Sequence, residues 1–261
     1  MSDYNRNVSV PRFGATAART QAEIDQGLRA YMLRVYNYMT LGLAITGAAA
    51  LGIYMLAVSD VPTSAAIAPN VYLTELGVAL FLSPLRWVVI FAPFAAILFL
   101  NFRVDRLSVG AAQSIFWVYA ALVGVSLSSI FLVYTHDSIV RVFFITAAAF
   151  GGLSLYGYTT SRSLSAMGSF LIMGLFGLII AMLVNLFLAS SMLQFVISVA
   201  GVLIFSGLTA WDTQRIKEMY FAGDDDVVAG RKAIMGALTL YLDFINLFVM
   251  LLQLFGNRNS N

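Results

Sequence analysis

The sequence predicts an all-α, polytopic membrane protein folded as a seven-transmembrane-helix bundle, and three observations carry that reading. Hydrophobic residues make up 60% of the 261-residue chain, mean hydropathy is +0.86 and 11% of residues are charged. A soluble domain carries about a quarter charged residues. Seven apolar stretches approach the ~20 residues that a helix needs to cross a bilayer; they lie at 35–58, 85–101, 109–134, 139–158, 168–188, 192–213 and 233–254. The last two stretches each hold an aspartate, Asp212 and Asp243, set among apolar residues. A carboxylate in hydrocarbon costs roughly 2.5–3.5 kcal/mol on insertion scales and persists only with a partner, a proton or a function. The chain is therefore expected to handle protons or cations.

The remaining segments fit this frame. Residues 1–30 are polar and form an expected cytoplasmic tail, partly helical near the membrane, ahead of a membrane domain at 31–256 and a short C-terminal tail at 257–261. No signal peptide is expected, because the first apolar run begins near Val35 behind that polar lead. Connectors are short except at 59–84 and 214–232. The first of these contains 71–82, apolar but too short and too interrupted by Thr74 and Glu75 to span. Such a segment lies at the interface or folds back onto the bundle.

Basic residues set the orientation. Arg29 and Arg34 in and near the tail share one face with Arg103, Arg106, Arg162, Arg215, Lys217, Arg231 and Lys232, whereas the other face shows Arg86, Arg141 and Arg258. Positive-inside counting puts the N-terminus in the cytoplasm, and seven spans put the C-terminus outside. Small residues recur every four positions at Ala44–Ala48–Gly52, Ala147–Gly151 and Ala148–Gly152, with Gly174 and Gly177 further on. That spacing allows close helix packing and reads as structural.

Several chemistries are excluded. With no cysteine there is no disulfide, thiolate catalysis or Cys-type metal site. The single histidine, His136, sits between apolar segments and reads as a loop residue. A net charge of +2 without a long basic run gives no case for nucleic-acid binding. Asp224-Asp225-Asp226 lacks the alternating ligands and closing Glu of an EF-hand, so it reads as a solvated turn.

Polar residues converge on the aspartates. Steps of four and three align Thr239, Asp243, Asn246, Met250 and Gln253 on one stripe of the last helix. A polar stripe in a membrane faces the bundle interior, since lipid leaves its groups unsatisfied. Thr209 lies one turn before Asp212 with Ser206 behind it, and Arg215 follows Asp212 by three as a local partner. Asn185, late in the fifth helix, is expected to join the cluster. If Asp212 and Asp243 meet, they cannot both ionise cheaply and titrate as a unit. A shared proton holds the two helices together, and its loss creates repulsion or a site for a hard cation such as calcium. Arg103 or Arg106 is the expected competing counter-ion.

The segments Gly201-Val-Leu-Ile-Phe-Ser-Gly-Leu-Thr-Ala-Trp-Asp-Thr-Gln-Arg-Ile-Lys217 and Ala237-Leu-Thr-Leu-Tyr-Leu-Asp-Phe-Ile-Asn-Leu-Phe248 resemble the two signatures of the Bax-inhibitor, or transmembrane Bax inhibitor motif, family. The run from Tyr156 to Ser165 is similar to its bacterial branch, with Arg162-Ser163 where relatives often carry Lys-Asp. The resemblance covers about residues 31–256. It implies a multi-pass protein of the bacterial inner membrane, a di-aspartyl pH sensor formed by Asp212 and Asp243, and a pH-sensitive calcium leak. It also implies an arginine near the end of the second helix in contact with the pair, with Arg103 the nearest match. It equally allows a binding partner or modulator of a membrane-anchored ATP-dependent protease, for which the polar tail offers a handle. Deleting that tail separates the two readings.

No enzymatic activity is expected and no cofactor is implied, calcium being cargo. An intramembrane aspartyl protease also pairs two aspartates, yet Trp211 precedes Asp212, Tyr241-Leu242 precedes Asp243, and Pro-Ala-Leu is absent. The serine counterpart fails because Gly124-Val-Ser-Leu lacks the following Gly. A retinal protein fails because no lysine lies inside the last helix beyond Lys232.

Overall fold

The computed structural model describes residues 13–59, 61–62, 65–68, 71–103 and 107–259. Its long helices are α1 (Phe13–Ala57), α3 (Leu85–Arg103), α4 (Val109–Leu127), α6 (His136–Thr159), α7 (Ser165–Leu188), α8 (Ser191–Glu218) and α9 (Asp226–Phe255). Two short ones, α2 (Glu75–Gly77) and α5 (Ile130–Val133), complete the helices among the described residues. Among the described residues six helices are long and apolar enough to cross a membrane, and a seventh span arises if 75–82 and 85–100, bent by 66°, form one. The chain is thus an all-α polytopic membrane bundle. The expected second crossing differs from the others in being this bent pair.

Packing centres on α9. Two thirds of its membrane window, 67%, is buried, against 17–33% in the other spans. α1, α4, α6 and α8 all pack on it, while α3 lies outside α4 and α7 outside α8. This ring gives α9 its polar stripe without exposing it to lipid. Its core contacts include Phe116 and Tyr241, edge to face at 5.6 Å, and Phe150 and Phe244 at 5.5 Å.

Sequence reading placed some boundaries short. α1 runs unbroken from Phe13 through the expected tail, whose residues 1–12 lie outside the described residues. The connector expected at 214–232 shrinks to 219–225, because α8 continues to Glu218 and α9 starts at Asp226. The acidic triplet explains the early start. Asp225 caps α9 by accepting from the Val228 N–H at 2.7 Å, Asp226 occupies the first turn, and Asp224 pairs with Lys232 at 2.6 Å. The triplet is a helix start rather than a free turn.

The connector at 59–84 folds back. Strands β1 (Val58–Ser59), β2 (Ala66–Ala68) and β3 (Val71–Leu73) form an antiparallel sheet in the order β1-β3-β2. Thr74 then caps α2 and donates its hydroxyl to the Leu56 carbonyl, at 2.8 Å, before a π turn at Val78–Leu82 leads to α3. At the same end of the bundle the C-terminal strap joins the α5–α6 connector. Tyr134 bridges Arg258, and the Thr135 N–H donates to the Asn257 carbonyl at 3.0 Å.

Close helix approach occurs at other small residues than those expected. Ala44, Ala48, Gly151 and Gly152 are exposed, and a Cβ on Gly52, Gly151, Gly152 or Gly177 meets nothing within 4 Å. Of the expected positions, Gly174 sits against Ile204. The backbones approach instead at Gly124, where a Cβ would lie 2.5 Å from the Thr46 carbonyl oxygen, and at Gly157, 2.1 Å from that of Ala210. A four-residue repeat has several faces, and only the assembled bundle selects the one in contact.

Two stability outcomes follow from this packing. Gly157→Leu forces α6 off α8 and costs about 3 kcal/mol or more, whereas Gly152→Leu, pointing into open space, leaves the thermal unfolding midpoint in detergent nearly unchanged. Ala189 ends α7 in the left-handed region at φ 48°, so Ala189→Gly raises stability by about 0.5–1 kcal/mol. A lowered midpoint for Ala189→Gly in the same assay contradicts this.

Candidate functional site

The structure brings Asp212 and Asp243 together. Asp212 lies in the last third of α8 and Asp243 near the middle of the antiparallel α9, 6% and 5% exposed. Their carboxyls lie close enough to act on one another. A hydrogen bond between them would need a proton, because two carboxylates have only acceptors to offer. Oδ2 of Asp243 is buried and receives no hydrogen bond from any amide, hydroxyl or cationic donor among the described residues. At this oxygen an ionised Asp243 has no donor to replace the water it lost.

Two side chains of the expected stripe, Met250 and Gln253, pack against α8. Met250 packs where Gly201 gives room, a Cβ there lying 2.7 Å from its sulfur, and Oε1 of Gln253 accepts from Gln194 Nε2 and Ser198 Oγ, each at 2.8 Å. Between these levels lie the aspartates. The hydroxyls and amide nearest them turn away: Thr209 donates to the Phe205 carbonyl at 2.7 Å, Thr239 to Met235 at 3.1 Å, and Asn246 to Leu242 at 2.8 Å. Each satisfies itself on its own helix, so none serves the carboxyls as a donor.

Asn185 does not join the pair. Its Nδ2 donates to Gln194 Oε1 at 3.1 Å, and its Oδ1 accepts from the Ser190 N–H at 3.0 Å. The antiparallel turn between α7 and α8 places it at the end of α8 opposite Asp212, in the Gln194–Ser198–Gln253 cluster. Arg103 is exposed at the end of α3 and forms no ion pair with either aspartate; Arg106 lies outside the described residues. The charge that acts on Asp212 comes from Arg215, whose guanidinium lies 5.5 Å from the Trp211 ring centroid.

Sequence reasoning missed a buried hydroxyl chain next to the pair. Thr213 Oγ1 and Ser154 Oγ lie 2.9 Å apart, and Ser154 meets the Tyr36 hydroxyl at 2.5 Å, tying α8, α6 and α1 together. Thr213 passes its own proton to the Thr209 carbonyl at 2.7 Å. Gln214 was missed as well: it donates to the Arg162 carbonyl at 2.9 Å and accepts from the Leu164 N–H at 2.8 Å, joining α8 to the α6–α7 connector. The signal was present in the uninterrupted polar run Asp212-Thr213-Gln214 inside an apolar helix. Three successive residues point to three directions around a helix, so three different neighbours were implied.

A passing cation meets two carboxylates here and no third His or acidic side chain, since no cluster of three or more such residues exists among the described residues. Calcium takes six to eight oxygens. The two carboxylates alone do not make such a shell.

Comparison with known proteins accords with this architecture. Residues 28–260 match the family described as inhibitor of apoptosis-promoting Bax1. A protein of Rickettsia prowazekii (strain Madrid E) is 46% identical over 260 residues, covering 100% of both chains. The inner membrane protein YbhL of Escherichia coli (strain K12) is 43% identical over 234 residues, 89% of this chain and 93% of its own. A protein of Borreliella burgdorferi is 41% identical over 233 residues, 88% and 93% of the two chains. With a family match across nearly its whole length and these full-length relatives, the chain belongs to the Bax inhibitor family.

Proposed function

We propose that the protein is a pH-sensitive calcium leak channel of the bacterial inner membrane, gated by the proton shared between Asp212 and Asp243. The observation that carries this is a buried carboxyl pair in which Oδ2 of Asp243 has no donor among the described residues. While the proton is present, the hydrogen bond closes α8 on α9. The interface beyond it is dry, with Phe205 and Leu247 buried and Met250 seated against Gly201. Once the proton leaves, two anions face each other where the effective dielectric constant is low, and repulsion drives the helices apart. A divalent cation entering the gap neutralises both carboxylates and moves on when a proton returns. Acid therefore favours the closed bundle, and leak rises as pH rises through the pair's titration.

Orientation enters this reading through the basic residues. Arg215 and Lys217 close α8, and Arg231 and Lys232 sit in the first turns of α9, so this end faces the cytoplasm by the positive-inside rule. The sheet and the C-terminal strap lie at the other end. A reporter fused at Met1 or inserted at Gly223 is expected to read cytoplasmic, and one at Asn261 periplasmic. A periplasmic Gly223 reporter overturns the orientation.

Calcium flux into proteoliposomes tests the gate. Wild-type flux is expected to climb between acid and neutral pH, while Asp212→Asn and Asp243→Asn give flat profiles because an amide does not ionise at either pH. The double variant should lose no further pH response, since the pair titrates as one unit. A pH response that persists in both single variants places the sensor elsewhere, and flux that falls with rising pH refutes opening by repulsion.

A further inference from the structure

α1 and α6 both pack on α9, yet they leave a seam between themselves. In the half nearer the α8–α9 connector the seam holds a cavity of about 660 Å³, and in the other half one of about 240 Å³. Met32, Met39 and Phe150 line the first, with Leu33 and Leu155 exposed at its rim. Phe244 and Phe248 of α9 stand at the back of the second. Two glycines border the opening, Gly47 on α1 and Gly151 on α6, and a Cβ on either meets no atom within 4 Å. The Tyr36–Ser154 hydrogen bond crosses the seam and fixes its width.

One end of this apolar slot is cationic. Arg29 lines the mouth of the larger cavity and is exposed. Lys217 flanks the same mouth: its ammonium donates to the Tyr158 carbonyl at 2.8 Å and lies 5.6 Å from that ring's centroid, and Tyr158 is itself part of the lining. A ligand that fits is long and apolar with an anionic head at one end. Water fills such a slot poorly, because it offers few polar partners.

We propose that the α1–α6 seam is a binding site for one anionic phospholipid, its phosphate at Arg29 and Lys217 and one acyl chain laid between the helices toward α9. Charge complementarity at the mouth selects the anionic head, and the apolar walls hold the chain. The lipid touches the helix that carries Asp243, one residue from Phe244. It is a site of its own, and its existence does not depend on what the aspartates do.

Native mass spectrometry of the full chain, released from vesicles of equal parts phosphatidylglycerol and phosphatidylcholine with matched acyl chains, tests this. Wild type is expected to retain one phosphatidylglycerol in preference to phosphatidylcholine by about fivefold, the scale of one basic side chain at an anionic lipid surface. Arg29→Gln should lower the preference, Lys217 remaining, while lipid is still retained. Gly151→Trp fills the seam from a position with free space, so it should fold and lose the retained lipid. Gly110→Trp, at an exposed glycine with equally free space on α4, should retain it. Equal retention of the two lipids by wild type overturns the proposal. So does a Gly151→Trp variant that keeps phosphatidylglycerol as wild type does, or an Arg29→Gln variant with unchanged preference.

Discussion

Taking the Asp243 carboxyl out of water is the constraint on which this bundle is built. A membrane interior offers no solvent to an ionised group, and no amide or hydroxyl among the described residues reaches its buried Oδ2. Under the proposed gating, what remains is a proton held jointly with Asp212. That solution demands that α9 be enclosed on every side that carries polarity and that α8 approach it closely along its length. α1, α4 and α6 complete the enclosure, and α3 and α7 stand outside because α9 no longer needs them.

The α8–α9 pair is held firmly on both sides of the aspartates. At one end Gln194, Ser198 and Gln253 form a cross-helix amide and hydroxyl cluster. At the other, Lys232 bonds both the Met219 carbonyl and the Asp224 carboxylate across the connector. Neither cluster depends on the protonation of the aspartates. Under the proposed gating, repulsion therefore acts on a helix pair pinned at its ends. Its effect concentrates in the middle, where the pair makes no other polar contact between the two helices.

Neighbouring polar side chains divide between two uses. Thr209, Thr239 and Asn246 satisfy themselves on their own helices and offer no hydrogen bond to the aspartates. Thr213, Ser154 and Tyr36 instead join three helices and hold α6 and α1 at a set distance, which leaves the seam between them open to the membrane. The same fold thus isolates one polar site from solvent and presents an apolar one to lipid. Tail residues such as Arg29 reach the latter because α1 continues as a helix beyond the membrane rather than breaking at its edge.

Composition and apolar run length were enough to read an all-α membrane bundle, the approximate place of its apolar helices and the burial of Asp212 and Asp243, because insertion into hydrocarbon penalises charge whatever the fold. Helix ends were less legible. Asp225 and Asp226 serve equally well in a loop, and the side-chain cap that starts α9 early is a feature of assembled backbone. Neighbour choice was not legible from local pattern at all. Ala44–Ala48–Gly52 and Gly124 have the same small-residue chemistry, yet only the helix facing Thr46 needs it. Asn185 looked like a partner for the aspartates until the α7–α8 turn placed it at the far end of α8. The sequence by itself determined which groups cannot tolerate lipid; tertiary structure decided which of them meet, because contact depends on how seven helices rotate about their axes, and a period of 3.6 residues leaves that rotation open.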